Sequence, residues 1–200
     1  MARLSLSKAQ MAREKTDLAA YRRFLPSLDL KRKQLMAERA RVAEALAQTE
    51  AEIAGTIARI GAQIPMLAEG DLGLDGLVTL KAVRLGERNV VGQRLPVLET
   101  AETEILPYGR MTRPHWVDLT ASRLEEVVRL RVEAQVAARA LDLLDAAIVK
   151  VTQRVNLFDK VLIPRARANI KRIGIALGDL ERAAVVNSKI AKRKREAVDA

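Results

Sequence analysis

Two long stripes of apolar residues organise the chain, one from about Leu18 to Ile64 and the other from about Leu124 to Leu180. In the second stripe the apolar positions step by alternating three and four residues, which is the seam pattern of a coiled coil. The predicted seam comprises Val127, Leu130, Leu141, Leu144, Ile148, Val151, Val155, Phe158 and Leu162. We therefore predict an all-α fold in which two long helices, of roughly 90 and 100 Å at ~1.5 Å per residue, pair antiparallel as a coiled-coil rod.

The first helix is predicted to begin between Leu6 and Ala12, with Ser7 as its N-cap. Pro26 interrupts its pattern, because an interior proline removes one backbone hydrogen bond and clashes with the preceding turn at a cost of ~3 kcal/mol. We expect a kink or a break near Phe24. Four polar residues also occupy positions of the stripe where apolar ones are expected: Arg32, Arg39, Thr49 and Thr56. Their partners on the facing helix must be polar or absent.

Between the stripes the composition changes, because four of the six prolines and most of the ten glycines lie there. Alternating apolar residues from Leu77 to Leu85, and a second run from Val90 to Leu98, predict two short strands around a turn at 86–89. A β-hairpin insert is the prediction. The chain then divides into an N-terminal helix (1–64), a middle insert (65–121) and a C-terminal helix with a basic tail (122–200).

The second helix is predicted to begin at Arg123, because Ser122 and Glu125 have the spacing of a capping box. Pro164 lies inside this helix, and the apolar steps change phase around it, which locally unwinds a left-handed supercoil. We expect the rod to be bent or straightened there. Beyond Asn187 the chain ends in a basic tail that includes Lys192 to Arg195 and is expected to fray when the protein is alone.

Charge and composition narrow the function classes without choosing one. The formal net charge is +10, and both stripes are basic whereas the middle is slightly acidic. A basic rod can bind nucleic acid, an anionic membrane surface or an acidic protein collar. The chain has no cysteine, no signal-peptide pattern at its start and no run of ~18 apolar residues, so we expect a cytoplasmic protein that reaches a membrane only through a partner.

Residues for catalysis or for cofactor binding are missing from the pattern. No glycine-rich phosphate loop followed by Lys and Ser or Thr occurs, so direct nucleotide binding is not expected. His115 is the only histidine, and without cysteines beside it a loop position next to Trp116 is the expected role rather than metal ligation. We predict no catalytic, cofactor-binding or metal site.

Three segments in order carry a family resemblance. In the stretch Thr152 to Arg165, an Arg-Val-Asn start and an Ile-Pro-Arg end are similar to the signature of the D subunit of V-type and archaeal-type rotary ATPases. Leu28 to Leu35 and the segment 89–99 resemble two further motifs of that family. The chain departs from the pattern at Pro26, at 158–160 and in its tail, as in a divergent bacterial branch. The residues that carry the resemblance, without an assigned role, are Asn89, Gly92, Pro96, Arg154, Asn156, Pro164 and Arg165.

The resemblance implies a non-catalytic central stalk, the rotor shaft of a V-type ATPase or ATP synthase. Such a shaft lies with its paired termini inside a ring of catalytic and noncatalytic subunits. Its other end, with the small F subunit of the stalk, meets a funnel-shaped adaptor on the membrane rotor ring. The implied function is to couple ATP hydrolysis or synthesis to proton or sodium transport by rotation.

Two other classes fit parts of the pattern. A coiled-coil scaffold or export chaperone would need the same basic rod, although it has no need of the segment Asn89 to Glu99. A nucleic-acid-binding helical hairpin would explain the pI near 10.3 and the tail. Only five aromatic residues occur in the chain, which argues against stacking on single strands, so nucleic acid is not predicted as a partner.

Overall fold

Two long helical stretches and a two-stranded hairpin make up the described part of the chain. The computed structural model describes residues 4–65, 76–108 and 114–196. The elements are α1 (Lys8–Gln63), β1 (Val78–Val90), β2 (Gln93–Ile105), α2 (Trp116–Asn156), a π-helical turn (Leu157–Leu162) and α3 (Ile163–Glu196). The long helices pack antiparallel and the hairpin is inserted between them. The predicted architecture is therefore confirmed: a mostly helical fold with a β-hairpin insert.

Helix α1 begins at Lys8, and the Gln10 backbone N–H donates to the Ser7 hydroxyl at 3.2 Å, which confirms the predicted cap. The helix then continues through Pro26 without interruption, so of the kink or break expected near Phe24 the break is wrong, and the kink stays a prediction. The proline removes only one backbone bond, and the Ser27 hydroxyl donates to the Phe24 carbonyl at 2.8 Å beside it. The many intact turns on both sides outweigh this local loss.

The terminal unit consists of Met1–Lys31 and Val151–Ala200. Its buried apolar residues lie on the second helical stretch and are Val151, Val155, Ile163, Ala166 and Ile173. From α1, Leu18, Tyr21, Leu25 and Leu28 contribute half-buried side chains. A single layer of aliphatic side chains, with the rings of Tyr21 and Phe158, therefore forms this core between two helices.

The central unit consists of Arg32–Lys150. Leu35 and Leu144 are fully buried, and two of the polar stripe residues, Thr49 and Thr56, are buried as well. The Thr49 hydroxyl donates to the Ala45 carbonyl at 3.1 Å, and the Thr56 hydroxyl accepts from Arg59 at 2.8 Å. Both hydroxyls can be buried because each has a hydrogen-bond partner.

The hairpin is longer than the sequence indicates and turns at a different place. Val90 pairs with Gln93, so the loop is Val91–Gly92 and the predicted turn at 86–89 is wrong. Both loop residues have positive φ, 53° at Val91 and 82° at Gly92, as a two-residue hairpin turn requires. The Asn89 side-chain oxygen accepts from the Gly92 N–H at 2.8 Å, which closes this turn.

Helix α2 begins at Trp116, earlier than the predicted start at Arg123, so the predicted capping box is wrong. Val117 and Ala121 are buried with Leu77 in a small core, and this tertiary packing favours a helix start close to Pro114. Ser122 lies within the helix, where its hydroxyl donates to the Leu119 carbonyl at 2.9 Å.

A π-helical turn stands where the apolar pattern changes phase. At its end the Ile163 N–H donates to the Phe158 carbonyl, five residues back instead of four. The helix continues past Pro164 as α3 and reaches Glu196. The described residues of the basic tail extend this helix, and the fraying expected beyond Asn187 stays a prediction.

Candidate functional site

Near its turn, the hairpin is fixed to α1 by an ion pair whose carboxylate is buried. The Arg88 guanidinium on β1 donates to the Glu38 carboxylate on α1, whose side chain is only 10 % exposed. Arg41 adds a second cation, 3.7 Å from the other Glu38 oxygen. Leu95, the ladder partner of Arg88, is 1 % exposed. A buried carboxylate needs a cation at close range, so this contact specifies where the hairpin lies on α1.

The base of the hairpin is fixed to α2. The Thr103 hydroxyl on β2 donates to Glu125 at 2.5 Å, and Arg129 donates to the same carboxylate oxygen at 2.9 Å. The small core of Leu77, Val117 and Ala121 closes this end. Because its two ends contact different helices, the hairpin braces the helix pair of the central unit.

A groove opens between the hairpin and the two helices of the central unit. Glu38 and Arg88 stand at one side of it. Arg41 and Glu133 also line it, and the remaining lining is apolar and comprises Val42, Ala45, Leu95, Pro96, Val97, Leu98, Val136, Ala137 and Ala140. Pro96, one of the resemblance residues, thus lies in a half-buried position of β2 facing this groove.

In the terminal unit, three contacts join the helices in antiparallel order. The Tyr21 and Phe158 rings meet edge to face, with centroids 5.4 Å apart and planes at 87°. The Asn169 amide donates to Glu14 at 3.0 Å. Nearest the helix ends, Lys8 and Glu181 form an exposed ion pair at 3.5 Å. The aromatic contact is the apolar centre of this set.

The predicted seam residues are buried to different extents. Val127, Leu144, Val151 and Val155 are buried, whereas Leu130, Leu141, Ile148, Phe158 and Leu162 are half-buried. The resemblance residues of the second helical stretch, Arg154, Asn156, Pro164 and Arg165, are exposed on either side of the π turn. Asn89 and Gly92 build the hairpin turn. The structure therefore distributes these residues over three places instead of collecting them in one site.

The end of α3 extends beyond the ion pair that Glu181 forms with Lys8. Every described side chain from Glu181 to Arg195 is exposed. This segment combines the cations Lys192 to Arg195 with apolar side chains, since Val185, Val186 and Ile190 are 47 to 56 % exposed. The described end of α3 is therefore an exposed surface on which basic and apolar side chains are mixed.

Arg39, for which either a polar partner or none was predicted, pairs with Asp145 across the two helices of the central unit. The Arg39 Nε–H donates to Asp145 Oδ1 at 2.6 Å and its Nη2 to Oδ2 at 3.3 Å. This hydrogen bond, with the attraction of the cation, lowers the pKa of Asp145 and raises the pKa of Arg39. The predicted polar partner is confirmed at this position.

Sequence reasoning missed the residues that anchor the hairpin. Glu38 lies three residues after Leu35 and four before Val42, so it shares their face of α1 beside the stripe position of Arg39. A carboxylate at such a position signals a buried cation partner. Nothing local identifies that partner as Arg88, which lies 50 residues further along the chain.

No group of three or more His, Asp or Glu side chains suited to a metal ion occurs among the described residues. His115 lies exposed in the turn before α2. Within the described ranges, no helix is long and apolar enough to cross a membrane.

The geometry defines a class of protein, a long antiparallel helix pair braced by an inserted β-hairpin. The family model for the D subunit of ATP synthase matches residues 10–193. The V-type ATP synthase D subunit of Borreliella burgdorferi is 33 % identical over 192 residues, covering 96 % of this chain and 95 % of the relative. The proteins of the same name from Chlamydia felis and Chlamydia pneumoniae are 30 and 28 % identical, each covering 96 % of this chain and 93 % of the relative.

A match of this extent shows the family. The chain belongs to the family of V-type ATP synthase D subunits.

Proposed function

We propose that this chain is the central rotor shaft of a V-type ATP synthase or ATPase. It is a non-catalytic subunit that couples ATP hydrolysis or synthesis in a catalytic ring to the transport of protons or sodium ions. Family membership over residues 10–193 is the observation that carries the proposal. The antiparallel helix pair supports it, because two helices packed along a seam resist bending and twisting better than one.

Rotation couples the two processes through the asymmetry of the shaft. A shaft with different faces presents a different surface to each of three catalytic sites, so its angle biases each site toward an open or a closed state. This bias is a coupling free energy and is reciprocal, since nucleotide occupancy then also biases the angle.

The proposed partners follow from the shaft assignment. The catalytic and noncatalytic ring subunits surround the paired helix ends, and the basic end of α3 favours acidic residues of that collar. The small F subunit of the stalk and a funnel-shaped adaptor on the membrane rotor ring complete the shaft. The chain itself is cytoplasmic and peripheral to the membrane through this complex.

The experiment is reconstitution of the complex in vesicles with and without this chain. ATP hydrolysis and ion uptake are measured in the same preparation. We expect the ring to hydrolyse ATP without the chain while ion uptake is lost, and addition of the chain to restore uptake. Uptake that is equally strong without the chain would refute the shaft assignment and favour the scaffold or export-chaperone alternative.

A further inference from the structure

Regular backbone hydrogen bonds are missing from both helices of the terminal unit in one region. We propose that residues 157–164, together with residues 22–26 of α1, form a compliant joint at which the helix pair opens and twists more readily than on either side. The joint is defined by the π turn and by Pro164 and Pro26. Three independent features of the backbone and its packing locate it.

The first feature is the hydrogen bonding of the second helical stretch. In the π turn the Ile163 N–H reaches the Phe158 carbonyl, five residues back. Pro164 follows directly and has no N–H to donate. In α-helical geometry its ring would also clash with the Lys160 carbonyl, and the wider turn relieves that clash. Of these two successive residues, Ile163 therefore donates one hydrogen bond that spans five residues, and Pro164 donates no backbone hydrogen bond.

The second feature is the same loss on the facing helix. Pro26 withdraws the donor that the Arg22 carbonyl would otherwise receive. Arg22 adjoins Tyr21, whose ring contacts Phe158 at the start of the π turn. The interrupted ladders of the two helices thus lie at one level of the terminal unit.

The third feature is the packing. None of the six π-turn residues is buried, and Leu157 and Val161 are 46 and 48 % exposed. Val155 before the turn is buried at 7 % exposure, and Ile163 and Ala166 after the turn are buried at 6 and 1 %. Local opening is cheapest where buried apolar contacts and regular backbone bonds are both few. The joint therefore separates two better-packed stretches.

A helix pair twisted from its ends deforms most where it is least stiff. If the proposed shaft function holds, the joint concentrates the twist of the shaft between catalytic steps. The mechanical claim itself concerns the chain alone.

Hydrogen–deuterium exchange of the full chain tests the joint. Amides at 158–163 and 23–25 should exchange faster than those at 145–155 and 166–173. Deleting Lys160, an exposed residue of the π turn, removes the extra residue and should return the segment to α-helix. Pro164→Ala restores a donor without altering the length. Each change should slow exchange at 157–164 by about tenfold, the value of roughly one backbone hydrogen bond.

Lys171→Ala is the matched control, because it changes an exposed residue of α3 outside the joint and should leave exchange at 157–164 unchanged. Uniform protection from 145 to 173 in the parent chain would overturn the proposal. Unchanged exchange at 157–164 in Pro164→Ala would overturn it too, and that variant decides the question if the deletion variant fails to fold. The shaft assignment is tested separately, because the vesicle experiment compares the complex with and without the whole chain.

Discussion

Leu144 offers the sharpest test of the helix pairing in the central unit. Its side chain is fully buried, and replacement by Asp removes ~1.5 to 3 kcal/mol of apolar burial. The new carboxylate lies in the apolar seam without a partner, which adds at least ~1 to 3 kcal/mol. The free energy of unfolding should therefore fall by about 4 kcal/mol. For a chain of this length, that lowers the melting temperature by about 8 to 16 °C.

Val149→Asp is the matched control, because it makes the same kind of change on the same helix at a residue that is 54 % exposed. Its cost should stay within about 0.5 kcal/mol. Thermal and urea unfolding followed by circular dichroism measure both variants. If Leu144→Asp has the melting temperature of the parent chain, or if both variants lower the melting temperature equally, the seam does not run where the structure places it.

Three further changes have defined outcomes. Arg88→Ala leaves the Glu38 carboxylate buried without its nearest cation, so it should lower the free energy of unfolding by ~1 to 3 kcal/mol and speed amide exchange in the hairpin. Unchanged exchange would show that the ion pair does not anchor the hairpin. The lowered pKa of Asp145 means that its pairing with Arg39 stabilises the fold above the unfolded-state pKa of ~3.9 and is lost as pH falls through the lower folded value. The melting difference between parent and Asp145→Asn should therefore shrink below about pH 4, and a difference independent of pH would contradict this pairing. Truncation after Ser188 should lower ion uptake per ATP hydrolysed while leaving the melting temperature nearly unchanged, since exposed ion pairs contribute only ~0 to 1 kcal/mol each; an unchanged ratio would make the tail a solvated end.

The helix pair could be predicted from the sequence because its signal repeats. Each step of three or four residues along the seam is weak alone, but many steps in phase define a helix face. The sequence also shows the phase change of the apolar pattern near Pro164, because one extra residue displaces every later apolar position. It does not show the form of the irregularity, since a bend, a straightened supercoil and a π turn all absorb one residue.

The hairpin was predicted, but its turn was placed too early. Gly86 and Asn89 are typical turn residues, whereas Val91 is a poor candidate because a β-branched residue rarely adopts positive φ. Gly86 instead lies in β1, where the Glu99 side chain covers it so closely that an added Cβ would come within 2.4 Å of Glu99 Oε1. A local turn preference does not report such a cross-strand contact.

The start of α2 shows the same limitation. The spacing of Ser122 and Glu125 is that of a capping box, yet Glu125 accepts from Thr103 of the hairpin. Packing of Val117 against Leu77 then favours an earlier helix start. Contacts between residues far apart in the chain decided both outcomes, and one sequence contains no signal for them.

The central claim is that this chain rotates within the catalytic ring. The chain has no cysteine, so a single one introduced at Glu102, an exposed residue of β2, gives a unique attachment point for a bead or gold particle. With the ring immobilised and ATP supplied, the account predicts that the particle turns in one direction and pauses at three angles per revolution. A particle that stays at one angle while the same complexes hydrolyse ATP would contradict the account.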